Sequence, residues 1–108
     1  MPATIQFLPG VDEEVSDVRI TGTKYDNRKA ATFYFTNPKI NTGDGVKGMQ
    51  MQDEEGILET TDVRSKFTNG EFSGLEAVYE MSTEEEFERF MRFMNRYAET
   101  NGMEFQKR

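Results

Sequence analysis

The longest stretch of regular patterning is residues 82–102, STEEEFERFMRFMNRYAETNG. Phe87, Phe90, Met91, Met94, Ala98 and, at the margin, Tyr97 recur there at three- and four-residue spacing, which predicts a helix with one buried stripe. Ser82 followed three residues later by Glu85 has the form of a capping box, and Gly102 is placed to end the helix in a left-handed conformation. The opposite face carries Arg89, Arg92 and Arg96, with Glu85/Arg89 and Glu88/Arg92 at the spacing of favourable helical ion pairs. Phe93 falls off the stripe, on the side leading to the arginines. An aromatic beside arginines suits the core of an interface.

Upstream, the period shortens to that of strands. Residues 4–8 alternate and are closed by Pro9-Gly10 before an acidic turn at 11–16, and residues 18–21 form a short second strand. The β-branched and aromatic run AATFYFT at 30–36 carries the strongest strand signal and is expected to be central. A polar stretch without apolar period, 39–45, is expected to be a mobile loop. Residues 46–52 and 57–67 then flank the turn Asp53-Glu54-Glu55-Gly56. Asn69-Gly70 is a hairpin turn, residues 72–81 pair back, and Gly74 inside that strand predicts a bulge or twist. These elements sum to an α+β class: an antiparallel meander with a C-terminal amphipathic helix packed on one face, two layers in one domain spanning residues 1–108.

Composition narrows what such a domain does. The 108 residues include no cysteine and no histidine and carry a formal net charge of −7. A disulfide framework, a thiol nucleophile and an imidazole base or metal ligand are therefore excluded. No cofactor is expected, and no enzyme. Residues 53–56 lack the alternating acids and distal Glu of a calcium loop, and Gly43-Asp44-Gly45 is too short to cradle phosphate. The acids at 84–86 complement the helix dipole without any catalytic role. The net charge opposes a nucleic-acid backbone or an anionic lipid surface, and the small basic clusters Arg64/Lys66 and Arg89/Arg92/Arg96 do not reverse that. A protein partner fits better. No apolar run reaches the ~20 residues of a membrane span, and residues 1–10 lack the layout of a signal peptide.

Two surfaces are candidates for binding it. A sheet edge takes up an extended segment of another chain through main-chain hydrogen bonds, and strands 46–52 and 57–61 follow the expected mobile loop. Met49 and Met51 offer either an adaptable apolar surface there or ordinary core side chains, and their polar neighbours Gln50 and Gln52 fit both. The second candidate is the helix face of Arg89, Arg92, Phe93 and Arg96, whose guanidinium forks suit acidic loops. On that reading Arg92→Glu with Phe93→Ala weakens partner binding and leaves the thermal midpoint nearly unchanged. A small-ligand domain with a pocket lined by Phe33, Tyr34, Phe35 and Tyr79, or a generic acidic protein-interaction module, remains an alternative.

The segments ATFYFTNP, GMQMQDEEG, NGEFSGLEAVYEM and EEEFERFMRFMNRYAETNG follow in order over residues 31–102. Together they resemble the Psb28 family of photosystem II assembly factors, with weaker similarity at IQFLPGVDEE and DVRI. Family members commonly carry Trp where this chain has Phe87, and a more basic segment where it reads Thr21-Gly22-Thr23-Lys24, which is compatible with a divergent paralogue. The resemblance implies a non-enzymatic accessory factor without pigment or metal, monomeric when free. It implies transient binding to immature photosystem II, through the inner antenna chlorophyll protein and the reaction-centre proteins, during assembly or repair. The expected location is peripheral at the thylakoid membrane, on the cytoplasmic side in cyanobacteria or the stromal side in plastids.

Overall fold

The computed structural model describes residues 3–22, 28–36, 38–40 and 46–101. Most of the polar stretch 39–45, part of the connection 24–29, Gly102 and the tail 103–108 lie outside the described residues, as does Asn37. Strands β1 (Thr4–Gln6), β2 (Asp12–Glu13), β5 (Met49–Asp53) and β6 (Gly56–Thr60) form one sheet in the order β2-β1-β5-β6. A second sheet is built from β3 (Asp17–Gly22), β4 (Lys29–Phe35), β7 (Val63–Thr68) and β8 (Glu71–Met81) in the order β3-β4-β8-β7. Every pairing is antiparallel. The helix α1 (Glu84–Asn101) follows.

The α+β class is therefore as expected, and β4 is central in its sheet, but the strands divide into two sheets where one meander was expected. The division falls inside the run 57–67, which the pattern alone reads as continuous. The Thr60 hydroxyl donates to the Val78 carbonyl at 2.6 Å, and the Asp62 N–H donates to Thr60 Oγ1 at 3.2 Å. The Val78 N–H then donates to the Asp62 carbonyl at 2.9 Å. These bonds turn the chain out of the first sheet at Thr60 and into the second at Val63. Local polar groups satisfy the backbone where neither ladder does.

The acidic turn expected at 11–16 contains the short strand β2 instead. Glu13 in it is buried, and its carboxylate accepts the N–H groups of Lys39 at 2.7 Å and Ile40 at 3.1 Å. A buried acid is tolerated because those donors replace its water.

Inside, the alternation of β4 and β5 places Ala31, Phe33 and Phe35 from one sheet and Met49 and Met51 from the other in one contiguous core. The helix touches β5 and β8, one strand of each sheet, so it closes the core against both rather than lying on a single face. Phe90 meets Phe33 edge-on at 5.9 Å and stacks on Tyr79 at 5.6 Å. Burial against two sheets widens the buried arc of the helix. Phe93, expected outside it, is fully buried and stacks on Tyr97 at 5.8 Å, while Met91 is only partly buried.

The expected punctuation holds at the β7–β8 hairpin. Asn69 (φ 53°) and Gly70 (φ 81°) both take the left-handed conformation that a two-residue hairpin turn requires. The register then slips between Lys66 and Phe67, leaving Ser73 as the extra residue beside Gly74. A Cβ at Gly74 would lie 2.4 Å from the Phe35 carbonyl oxygen, so only glycine fits this approach of β8 to the end of β4.

Candidate functional site

The three helical arginines converge on the tip of the β5–β6 hairpin. Arg89 grips Asp53 with both prongs, at 2.9 and 2.7 Å, and Arg96 reaches the same carboxylate at 3.0 Å. Arg92 holds Glu55 by two bonds of 2.8 and 3.0 Å. Arg96 also bonds Glu55 and lies 3.3 Å from Glu54. Positions 89, 92 and 96 fall on one helical face, and the tight turn at 54–55 brings three successive carboxylates to it. The charges within this cluster cancel.

Electrostatics make the clamp persistent. Burial pushes the Asp53 carboxyl up, but hydrogen bonds from Arg89, Arg96 and the Glu55 N–H, with the charge of Arg89, outweigh it and hold the group at about 2 against an ordinary 3.8. Hydrogen bonds from Arg92 and then Arg96 bring Glu55 down to about 2. The same bonds raise Arg92 and Arg96 above their ordinary value. Asp53, Glu55, Arg92 and Arg96 therefore stay charged across the biological pH range.

This geometry changes what the expected binding residues can offer. Met49 and Met51 are wholly buried, so the core reading of these methionines is the one that holds. Their strand β5 lies between β1 and β6 and has no unpaired edge, which corrects the expectation that 46–52 receives a partner segment. Gln50 and Gln52 point the other way, to the half-buried outer face of the first sheet. Phe93 cannot meet a partner in this fold, and Phe93→Ala would open a core cavity costing roughly 3–5 kcal/mol. It is unsuitable as an interface probe, against the expectation of an unchanged thermal midpoint. Arg89 and Arg96 are consumed internally, and Arg92 alone keeps about half of its side chain exposed, at 49%.

Sequence reasoning missed Asp53, Glu54 and Glu55 as partners of the arginines. The available signal was the match in number between an acidic turn and a set of basic residues on one helix face. Phe33, Tyr34, Phe35 and Tyr79 do not line a common pocket: Phe33 and Phe35 are core, and Tyr34 lies on the outer face between Arg19 and Lys66. Tyr79 borders an open cleft of about 510 Å³ between β6 and β8, whose other walls include Glu59, Asp62 and Glu80. Burial, and then the charge of Glu86, push the Tyr79 hydroxyl up, so it remains a neutral donor.

Among the described residues no group of His, Cys, Asp and Glu is arranged to hold a metal ion, and no helix is long and apolar enough to cross a membrane. What the fold and this clamp define is a small two-sheet α+β protein whose titratable groups fasten its own elements together, with β2 and β6 ending one sheet and β3 and β7 the other. The sequence pattern of the Psb28 protein family matches residues 5–105, and the chain belongs to that family. It is 56% identical to the photosystem II reaction center Psb28 protein of Acaryochloris marina, over 99% of each chain. The protein of the same name from Synechococcus elongatus is 50% identical over 97% of each chain. That of Phaeodactylum tricornutum is 49% identical over 99% of this chain and 98% of the relative.

Proposed function

We propose that this protein is a non-enzymatic accessory factor of photosystem II, binding its immature core transiently during assembly or repair. The observation that carries the reading is the match to the Psb28 family over residues 5–105, joined to relatives named for the photosystem II reaction centre that align along nearly the whole chain. The partners are the inner antenna chlorophyll protein and the reaction-centre proteins. Docking is peripheral, on the cytoplasmic or stromal side of the thylakoid membrane, through protein contacts. The free factor is a monomer acting as one domain, without a cofactor.

For the contact itself, β6 is the better of the two strands considered from sequence. It ends its sheet, and Ile57 on it is 56% exposed. An extended segment of a photosystem subunit pairing there would meet Ile57 and Glu59, with Gln50 and Gln52 on the same outer face. Arg92, exposed at the end of the clamp, lies on the helix beside the hairpin tip.

The test is a tagged pull-down from mildly solubilised thylakoids, with the recovered chlorophyll proteins identified by mass spectrometry. Recovery of a core containing the inner antenna, and little of the finished complex, is the expected result. Recovery of no photosystem subunits from cells repairing the complex would sink the proposal.

A further inference from the structure

The far end of the second sheet carries a feature that the clamp and the β6 edge leave unexplained. β4 pairs with β8 only as far as Phe35 opposite Leu75. Glu71 to Ser73 lie past that last pair and past the close approach of Gly74 to the Phe35 carbonyl, about 10 Å of strand at 3.3 Å per residue, and pair only with Phe67 and Thr68 of β7. The sheet therefore narrows to a two-stranded ribbon. Two strands alone are marginally stable in water, and an aromatic left exposed on such a ribbon needs a reason.

Phe67 is 63% exposed, the most exposed large apolar side chain among the described residues, and it meets Phe72 edge-on at 6.1 Å. Phe72 is partly buried at the limit of the core, so the Phe67 ring is held in place from one side and open on the other. Two cations stand behind it on the opposite face of β7. The Arg64 side chain is 70% exposed and 3.7 Å from Asp62. The Lys66 side chain is 50% exposed, 3.9 Å from Glu76 and 5.3 Å from the Tyr34 ring centroid. The helical arginines are neutralised internally, which makes Arg64 and Lys66 prominent accessible cations on a chain of net charge −7.

We infer that the β7–β8 ribbon is a second docking element, with Phe67 as its anchor on one face and Arg64 and Lys66 on the other. Its occupant is an apolar groove rimmed by carboxylates on a protein subunit of the photosystem core. An aromatic seated edge-on against a second ring, with an arginine nearby, has the composition of an interface hot spot, and the cations on the other face of the ribbon match the acidic rim of a groove that takes it in. The Asn69-Gly70 turn keeps the tip narrow enough to enter a groove, and the cations also guard an exposed strand edge against pairing with a second copy. The inference rests on the photosystem reading above.

The experiment titrates the labelled protein with photosystem II cores purified from cells lacking it. Phe67→Thr, which keeps a strand-forming side chain at an exposed position, is expected to weaken binding by about tenfold or more without moving the thermal midpoint. Arg64→Glu with Lys66→Glu is expected to weaken it as well and to flatten its dependence on salt. If the parent binds cores and Phe67→Thr binds equally tightly, the ribbon is not the anchor and the photosystem reading survives. A parent that binds no cores overturns both. Sedimentation with vesicles of phosphatidylcholine and phosphatidylglycerol supplies the remaining arm: parent binding that Phe67→Thr abolishes would replace the protein groove by a membrane surface and overturn the inference.

Discussion

Asp53 accepts from two arginines and one backbone N–H with its side chain fully buried, so removing its charge exposes what each partner contributes. Its folded pKa of about 2 lies below the ordinary 3.8, so the unfolded chain takes up this proton first as pH falls. The stabilisation is therefore complete above pH 4 and disappears as pH drops toward 2, and its size is on the order of 2 kcal/mol. Glu55, lowered from an ordinary 4.5 to about 2 by Arg92 and Arg96, adds to the loss and begins to do so at a slightly higher pH. Urea unfolding midpoints measured from pH 7 to pH 2 should stay level and then fall steeply below 4. Asp53→Asn should lower the unfolding free energy at neutral pH by about 3 kcal/mol, and with it the midpoint, because Arg89 and Arg96 lose a buried partner, and should shallow the acid slope. An unchanged slope would assign the acid sensitivity to other carboxylates. The arginines themselves were legible in the sequence as one helix face. Their partners were not, because the pairs span 36 to 43 positions and only the packed hairpin brings them together.

Among the elements, the helix shows how near a pattern can come and still miss by one position. Ser82 with Glu85 and Thr83 with Glu86 both satisfy the spacing of a capping box. The structure selects Thr83: its Oγ1 accepts the Glu86 N–H at 3.1 Å, its hydroxyl faces the Glu86 carboxylate at 3.4 Å, and its carbonyl accepts the Phe87 N–H at 3.1 Å. That last bond begins the helical ladder, and it fixes the turn at which Phe87 enters the core. Thr83→Ala should cost about 1 kcal/mol in thermal or chemical unfolding, whereas Ser82→Ala should fall within about 0.5 kcal/mol of the parent. A reversed order would restore Ser82 as the cap. The turn and the bulge of the β7–β8 hairpin were readable, since Asn69-Gly70 and Gly74 state backbone requirements that hold wherever the strands lie, whereas the start of β7 at Val63 was not. Strand β2 was not readable, because two acidic residues form a strand only when β1 and a donor-rich segment are already beside them.

At the scale of the molecule, a single hydroxyl ties distant parts of the chain. Tyr97 on the helix donates to the Glu13 carbonyl at 3.0 Å and accepts the Val15 N–H at 3.1 Å, where the chain passes from the first sheet to the second. Burial pushes this phenol up, against the lowering effect of the Val15 bond and with the nearby acids Glu14, Glu13 and Asp12 adding to the rise, so it remains protonated. Tyr97→Phe keeps the ring and its stacking on Phe93 but removes the bonds to the Glu13 carbonyl and the Val15 N–H. The expected loss is about 1–3 kcal/mol in equilibrium unfolding, and hydrogen exchange at Val15 should quicken more than exchange in β4. Equal effects at both places would mean that the bond has no local role. The tie acts together with the arginine clamp. One fastens the start of the chain to the helix and the other fastens the β5–β6 hairpin, so both sheets are held against the same element.

The amino-acid sequence by itself determined the class of the fold, the helix and its arginine face, the central β4 and the β7–β8 turn. It also determined family membership, because ordered segments along the chain carry it. Each of these depends on residues near one another in sequence, where period, turn chemistry and capping act directly. Only the tertiary structure decided that the strands form two sheets, that Phe93 and the β5 methionines are core, and that the arginines are occupied by Asp53, Glu54 and Glu55. The reason is physical: burial and ion pairing depend on which surfaces meet. A helix packed against two sheets buries a wider arc than one packed against a single sheet, and a charge that looks free along the chain is neutralised once a distant turn is folded onto it.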